Sequence, residues 1–214
     1  MIKDLIDILS RELQKPLPGP SGQNRMAPSD RTRLRFPSEP GENSSTAAVL
    51  LLLYPRHGKI HTVFIQRPSY PGIHGGQISL PGGKSEPVDL SPEDTALRET
   101  SEEIGITPSS VLLLGRLSPL YIPVSDTMVQ PVVGTVTKPP AFRPDPTEVE
   151  FVIETALEEL IGPQSVHHKT EIWDGHKLDI PYYDLMGYHV WGATAMILSE
   201  FTELFQRSGL RLPG

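Results

Sequence analysis

The chain has 214 residues, 26 of them acidic against 19 Lys and Arg, giving a net charge of −7; 37% are hydrophobic and 21% charged. That balance describes one globular domain of ordinary size, excludes a disordered chain, and argues against a nucleic-acid or membrane-surface binder. The absence of cysteine excludes disulfides, thiolate metal sites and cysteine nucleophiles. Ile2, Leu5, Ile6, Leu9 and Leu13 recur at helical spacing and predict an opening amphipathic helix. Its early aspartates do not suit a signal peptide, and no apolar run is long enough to span a bilayer, so a cytoplasmic location is expected. The 23 prolines cluster at 16–40 and 139–146, which predicts extended arms or loops there.

"AAVLLLLY" (47–54) and "KIHTVFIQ" (59–66) predict a hairpin of buried strands joined by "PRHG". Residues 67–84 carry too much Gly and Pro for regular structure and predict a long loop. A helix is predicted over about 92–104, with Ser91 as N-cap, Pro92 in the first turn, Glu93 and Asp94 at its positive end, and Gly105 as C-cap. Strands are expected near 111–117, 128–136, 149–153, 167–173 and 178–184. Val190, Thr194, Ile197, Leu198, Phe201, Leu204 and Phe205 mark a final amphipathic helix. There are no internal repeats. Strands and helices intermixed in this way predict an α/β or α+β sandwich with a mixed sheet.

On the predicted helix Glu99, Glu102 and Glu103 stand at i, i+3 and i+4, so their carboxylates share one face. A solvated charged face is the plain alternative for such a triplet. Two details favour a site: Arg98 is the only basic residue on the helix, and a Gly-rich loop leads into the helix's positive end. Mg²⁺ and similar hard cations take carboxylate, carbonyl and water oxygens beside substrate phosphates, and would supply the missing positive charge. From Asn43 to Ser85 there is no Asp or Glu, while Arg56, Lys59, Arg67 and Lys84 are present. A local positive field for an anionic substrate is therefore expected, with an accident of a short apolar hairpin as the alternative.

Gly83, Arg98, Glu99, Glu102, Glu103, Gly105 and Ile106 resemble the Nudix box, G-x5-E-x7-R-E-U-x-E-E-x-G-U with U apolar. Asp89 stands where the first Glu belongs, one extra residue precedes Arg98, and Thr100 replaces an apolar residue. The chain resembles the coenzyme A pyrophosphatase subgroup in these departures. It also resembles that subgroup upstream, in "VFIQRPSYPGIHGGQISLPGG" (63–83), where Arg67, Gly76, Pro81, Gly82 and Gly83 match. Pro68, Gly72 and Leu80 depart from that pattern, Gly72 replacing a second arginine. "QPVVGTV" (130–136) and "VWGATAMIL" (190–198) are similar to the subgroup as well.

The resemblance implies an α/β/α sandwich over 46–214, preceded by a helix and Pro-rich arm over 1–45. It implies Mg²⁺- or Mn²⁺-dependent hydrolysis of the pyrophosphate in a nucleoside diphosphate linked to another moiety, X. For coenzyme A (CoA) the products are 3′,5′-ADP and 4′-phosphopantetheine. Glu99 and Glu103 are expected to hold metal, with the Gly83 carbonyl completing the shell. Glu102 either binds a second ion or takes the proton of the attacking water; Arg98 orients a glutamate. Glu148, in "PDPTEVEF", is a further metal ligand or the base. Arg67, His74, Gln77 and Lys84 are the expected substrate contacts. The expected partner is a CoA-like nucleotide, with no nucleic acid or membrane and with a homodimer left open. ADP-ribose, NDP-sugars and nucleoside triphosphates stay open as substrates. A ligand sensor without activity, or an interaction module using the Pro-rich arm, are the rivals from other classes.

Overall fold

A computed structural model describes residues 2–29, 39–69, 75–173 and 175–212. Among them, β1 (Ser45–Arg56) and β2 (Lys59–Gln66) form the predicted hairpin, with pairing carried out to Arg56 opposite Lys59. β1 is buried on both faces. Ala48, Leu50, Leu52 and Tyr54 enter one apolar cluster, whereas Leu51 and Leu53 enter the other. The period of two along a strand thus builds two core layers from a single apolar run.

The loop expected at 67–84 contains two short strands, β3 (Ile78–Ser79) and β4 (Gly82–Lys84), the second pairing with β1. Their brevity hides them from any periodicity argument; neighbouring strands supply the hydrogen bonds that local sequence does not demand. β5 (Leu112–Arg116), β6 (Leu120–Ile122), β7 (Thr127–Thr135) and β8 (Phe151–Ala156) complete an eight-stranded sheet among the described residues. β1 and β7 run parallel and the other pairs antiparallel, so the sheet is mixed. β9 (Val166–Trp173), β10 (His176–Leu185) and β11 (Tyr188–Trp191) form a separate antiparallel sheet.

Helices cover both faces of the large sheet. α1 (Ile2–Glu12) buries Leu5 and Leu9 in the cluster that holds Leu51 and Phe64. The Pro-rich stretch is not wholly extended: α2 (Pro20–Gln23) and the following turn bury Gln23 and Met26. α3 (Pro92–Ile104) lies on the opposite face, packing Ala96 and Ile104 with Leu50 and Leu52. Ser91 caps it by accepting from the Asp94 N–H, and Gly105 is its left-handed C-cap. α4 (Leu157–Ile161) follows β8, and α5 (Gly192–Arg207) joins α1 on its face. Val190, expected in the last helix, lies in β11, where Tyr183 opposite it draws the residue into a strand pair. The result is an α/β/α sandwich with a mixed sheet. No helix among the described residues is long and apolar enough to cross a membrane.

Candidate functional site

Two glycines permit close packing here: Gly82 lets β4 lie against β1, and Gly83 lets α3 approach the sheet. A Cβ on Gly82 would stand 2.3 Å from the Ala48 carbonyl oxygen, and one on Gly83 would stand 2.5 Å from the Glu99 carboxylate. Any larger residue at either position displaces the strand or the acid. The Gly82 N–H, freed to face α3, donates to Glu103 Oε2 at 2.7 Å.

Glu103 is 1% exposed. Arg67, one residue beyond β2, donates from Nη2 to the Gly82 carbonyl at 2.8 Å and reaches Glu103 Oε1 at 3.4 Å. Burial pushes the Glu103 carboxyl up to about 7. Arg67 and the Gly82 N–H oppose that rise, while Glu99 and Glu148 add to it. Burial also raises the Glu99 carboxyl, against the pull of Arg98 and with the repulsion of Glu102 and Glu148 behind it. A carboxylate so placed is short of positive charge.

Glu148 arrives from a loop stitched to the end of α3. The Arg143 N–H donates to the Ile104 carbonyl at 2.9 Å, and the Asp145 N–H donates to the Glu103 carbonyl at 2.9 Å. Asp145 Oδ1 accepts from the Thr147 N–H and hydroxyl at 2.8 and 2.7 Å, closing a turn. Val149, 2% exposed, then anchors the chain in the α3 core. Glu148 is thereby brought to Glu99 and Glu103, with one carboxylate oxygen of each within 4.8 Å of the others. Three hard oxygen donors, a buried acid with a raised affinity for protons, and a cradle that a Cβ would fill all fit a divalent cation.

Arg98 holds the rim. It forms a two-point pair with Asp89, Nε to Oδ1 and Nη2 to Oδ2, both 3.0 Å. Its Nη1 donates to Glu99 at 3.1 Å and Glu102 at 2.9 Å, and Nη2 donates to the Lys84 carbonyl at 3.0 Å. The guanidinium holds the Asp89 carboxyl well below the ordinary range. Asp89 also accepts from Thr95 Oγ1 and the Glu86 N–H. Asp89 is a departure from the box at the level of sequence. The departure itself was the signal, since a shorter acid with one extra residue still reaches the same arginine.

The trio brought together is Glu99, Glu103 and Glu148. Glu102 lies outside it, 54% exposed and paired with Arg98. Arg67, Gln77, Gly83 and Lys84 line the same cavity of about 1080 Å³ as the trio; His74 lies outside the described residues. The expected positive field is narrower than the residue count implied. Arg56 is spent on Glu154 at 2.9 Å on the neighbouring β8, so Arg67 and Lys84 are the members of that basic set at the cavity.

A NUDIX domain model matches residues 44–174, more than half of the chain. Nudix hydrolase 15, mitochondrial, of Arabidopsis thaliana is 36% identical over 71% of this chain, which spans 55% of that relative's length. The mitochondrial coenzyme A diphosphatase of Homo sapiens is 34% identical over 73% of this chain and 67% of its own. A solved MutT/nudix family protein from Enterococcus faecalis, 19% identical, superposes with a TM-score of 0.48 over 82% of this chain and 65% of its own. The box residues on α3, the glycine pair beneath them and the match over 44–174 lead to one conclusion: the chain belongs to the NUDIX domain family.

Proposed function

We propose that the chain is a divalent-metal-dependent pyrophosphohydrolase whose substrate is CoA or a CoA derivative, cleaved to 3′,5′-ADP and 4′-phosphopantetheine. The observation that carries the chemistry is the convergence of Glu99, Glu103 and Glu148 at one end of a cavity that also presents Arg67 and Lys84. The substrate reading is supported by the 34% identity to a coenzyme A diphosphatase and by the Arg67-to-Gly83 pattern.

Glu99, Glu103 and Glu148 would hold Mg²⁺ or Mn²⁺, with the Gly83 carbonyl as a further oxygen donor. When bound, such an ion lowers the pKa of the attacking water and offsets charge on the transferring oxygens. Water attacks one phosphorus of the pyrophosphate; its P–O bond forms as the bridging P–O bond breaks, and the other phosphate departs with the bridging oxygen. Glu148, the solvent-exposed member of the trio, accepts the water's proton. Arg98 fixes Glu99 through a charge-assisted bond, and Asp89 fixes Arg98 in turn. Lys84 meets a phosphate from the open rim, and Arg67 is the cation already against the trio.

The test is a panel of CoA, ADP-ribose, NADH and nucleoside triphosphates with Mg²⁺, read by product mass in ¹⁸O-labelled water. The expected result is labelled 3′,5′-ADP or labelled 4′-phosphopantetheine, with CoA ahead of ADP-ribose by at least about tenfold in kcat/KM. Equal or better turnover of ADP-ribose rejects the CoA assignment, and inorganic phosphate as the first product rejects the mechanism.

A further inference from the structure

The small sheet ends on an open edge. β9 pairs with β10 on one side, and among the described residues no strand meets its other side. Ser29 of the N-terminal arm reveals which β9 residues turn their backbone groups to that edge. Its N–H donates to the Asp179 carbonyl at 2.9 Å, and the Asp179 N–H donates to Ser29 Oγ at 2.9 Å. Asp179 therefore points both backbone groups away from β9, although Thr170 stands opposite it. In an antiparallel ladder such a pair shares no hydrogen bond, and bonded and unbonded pairs alternate along the strand. Thr170, and with it His168 and Ile172, thus directs its N–H and C=O to the open edge.

Proteins commonly guard such an edge with a lysine, which repels a copy of itself. β9 carries Lys169, but Glu171 stands two positions on, on the same face, and the two form an ion pair at 2.7 Å. That pattern complements itself when two copies of β9 pair antiparallel about a two-fold axis. With the axis at Lys169 lysine meets lysine, and with it at Glu171 glutamate meets glutamate; like charges directly opposite destabilise a strand pair. With the axis at His168, Lys169 faces His167 of the second copy, and Glu171 falls beyond the end of its strand. With the axis at Thr170, Lys169 stands opposite Glu171 of the second copy, and symmetry repeats the pair. The other face of β9 suits the same register. It brings Ile172, 76% exposed, opposite His168 of the second copy, a side chain 58% exposed in the single chain.

We infer that β9 is a self-association edge: a second copy of this chain pairs with it antiparallel about an axis at Thr170, so that the two small sheets become one. Thr170 exchanges hydrogen bonds with its own copy, and His168 exchanges them with Ile172 on either side of the axis. The charge pattern fixes the register, because a shift of the axis by one residue opposes like charges. A contact confined to one strand edge belongs among the small, weak interfaces, so the dimer forms in the micromolar range and weakens with salt. The inference is independent of the proposed chemistry, since no residue of β9 lines the cavity of the carboxylate trio.

Sedimentation equilibrium of the full chain at low salt, from about 1 to about 500 µM, tests it; the average mass is expected to rise from one chain towards two. Lys169→Glu and Glu171→Lys each turn both cross-axis pairs into like charges and are expected to weaken association at least about tenfold. The double variant Lys169→Glu/Glu171→Lys exchanges the charges and is expected to return to within about threefold of wild type. An equal mixture of the two single variants sets an acidic edge against a basic one and is expected to associate more tightly than either alone. Thr170→Pro removes the N–H on the axis while leaving the ladder to β10 whole, and is expected to abolish association with the fold kept, as read by circular dichroism. A wild type that stays at one chain mass, a single reversal that associates like wild type, or a mixture that stays monomeric overturns the inference. So does undiminished association of folded Thr170→Pro; if that variant does not fold, the charge exchange decides.

Discussion

Glu103 on α3 and Glu200 on α5 are both buried carboxylates on helices that flank the sheet, yet their surroundings are opposite. Glu200 accepts from three neutral donors, the Gly19 and Ser118 N–H groups on one oxygen and Gln23 Nε2 on the other. Glu103 has one backbone N–H and a longer contact from Arg67, and shares its pocket with Glu99 and Glu148. The first acid is solvated by the protein and acts as a structural pin for the N-terminal arm. The second is left electrostatically incomplete beside an open cavity. Burial alone does not mark a functional acid; a buried acid crowded by its own charge and open to a ligand does.

The sharpest way to break this comparison is to remove one charge. Glu103→Gln keeps the shape and is expected to lower kcat at least about a hundredfold, since under the proposed function it removes a charged donor that would hold the ion. The metal-free variant is expected to be no less stable than wild type, because the repulsion from Glu99 and Glu148 goes with the charge. Thermal melts in EDTA and steady-state rates with Mg²⁺ check both halves. Near-normal turnover would remove the trio from the chemistry.

A pH titration sharpens the contrast without a mutation. The Glu103 carboxyl is raised from an ordinary 4.5 to about 7 in the folded chain. Between those values the folded state binds the proton and the unfolded state does not, so stability falls as pH rises. The loss across the window is of the order of 3 kcal/mol in the metal-free protein. Asp89 acts in the other direction: its depressed carboxyl contributes stability that is lost only as pH falls below its ordinary 3.8, outside this window. Denaturant unfolding in EDTA from about pH 5 to pH 8 is expected to show the decline, and Glu103→Gln to flatten it. Added Mg²⁺ is expected to stabilise the protein more at the alkaline end, where no proton competes. A profile that rises with pH, or one unchanged by the substitution, contradicts the assignment.

The smallest effect belongs to the pin. Glu200→Gln keeps one acceptor but turns an amide donor toward Gln23 or toward the Gly19 and Ser118 N–H pair. Trading charge-assisted bonds for neutral ones, with one donor left opposed, costs about 2 kcal/mol. The expected sign is a lower melting temperature at every pH, with Mg²⁺ affinity in calorimetry within about threefold of wild type. A stabilised Glu200→Gln would erase the distinction between the two acids.

Much of this was legible in the chain itself, and particular residues show why. The β1 and β2 hairpin and α3 were written locally, in an apolar run too short for a helix and in the Ser91, Pro92 and Gly105 caps. The glycine pair and the Glu99, Glu102 and Glu103 spacing pointed to a cation before any fold was known. By contrast, β4 is three residues long and owes its existence to β1 beside it. Asp89 looked like a flaw in a pattern until Arg98 closed on it from both sides.

Periodicity and capping act over one turn or one strand, so the sequence by itself determined the core elements, the acidic helix and the chemistry it invites. Which acids meet is a matter of long-range packing. Glu148 stands 45 positions beyond Glu103 in the chain, and a hydrogen bond from Asp145 to the end of α3 turns it into the trio. Glu102, adjacent in sequence to Glu103, is instead turned out to solvent, because one residue along a helix rotates the side chain by about 100°. The seating of the arm on Glu200 was equally invisible, since that contact joins residues separated by most of the chain. Only the tertiary structure decides such contacts, because their free energy is realised once the two core layers have already formed.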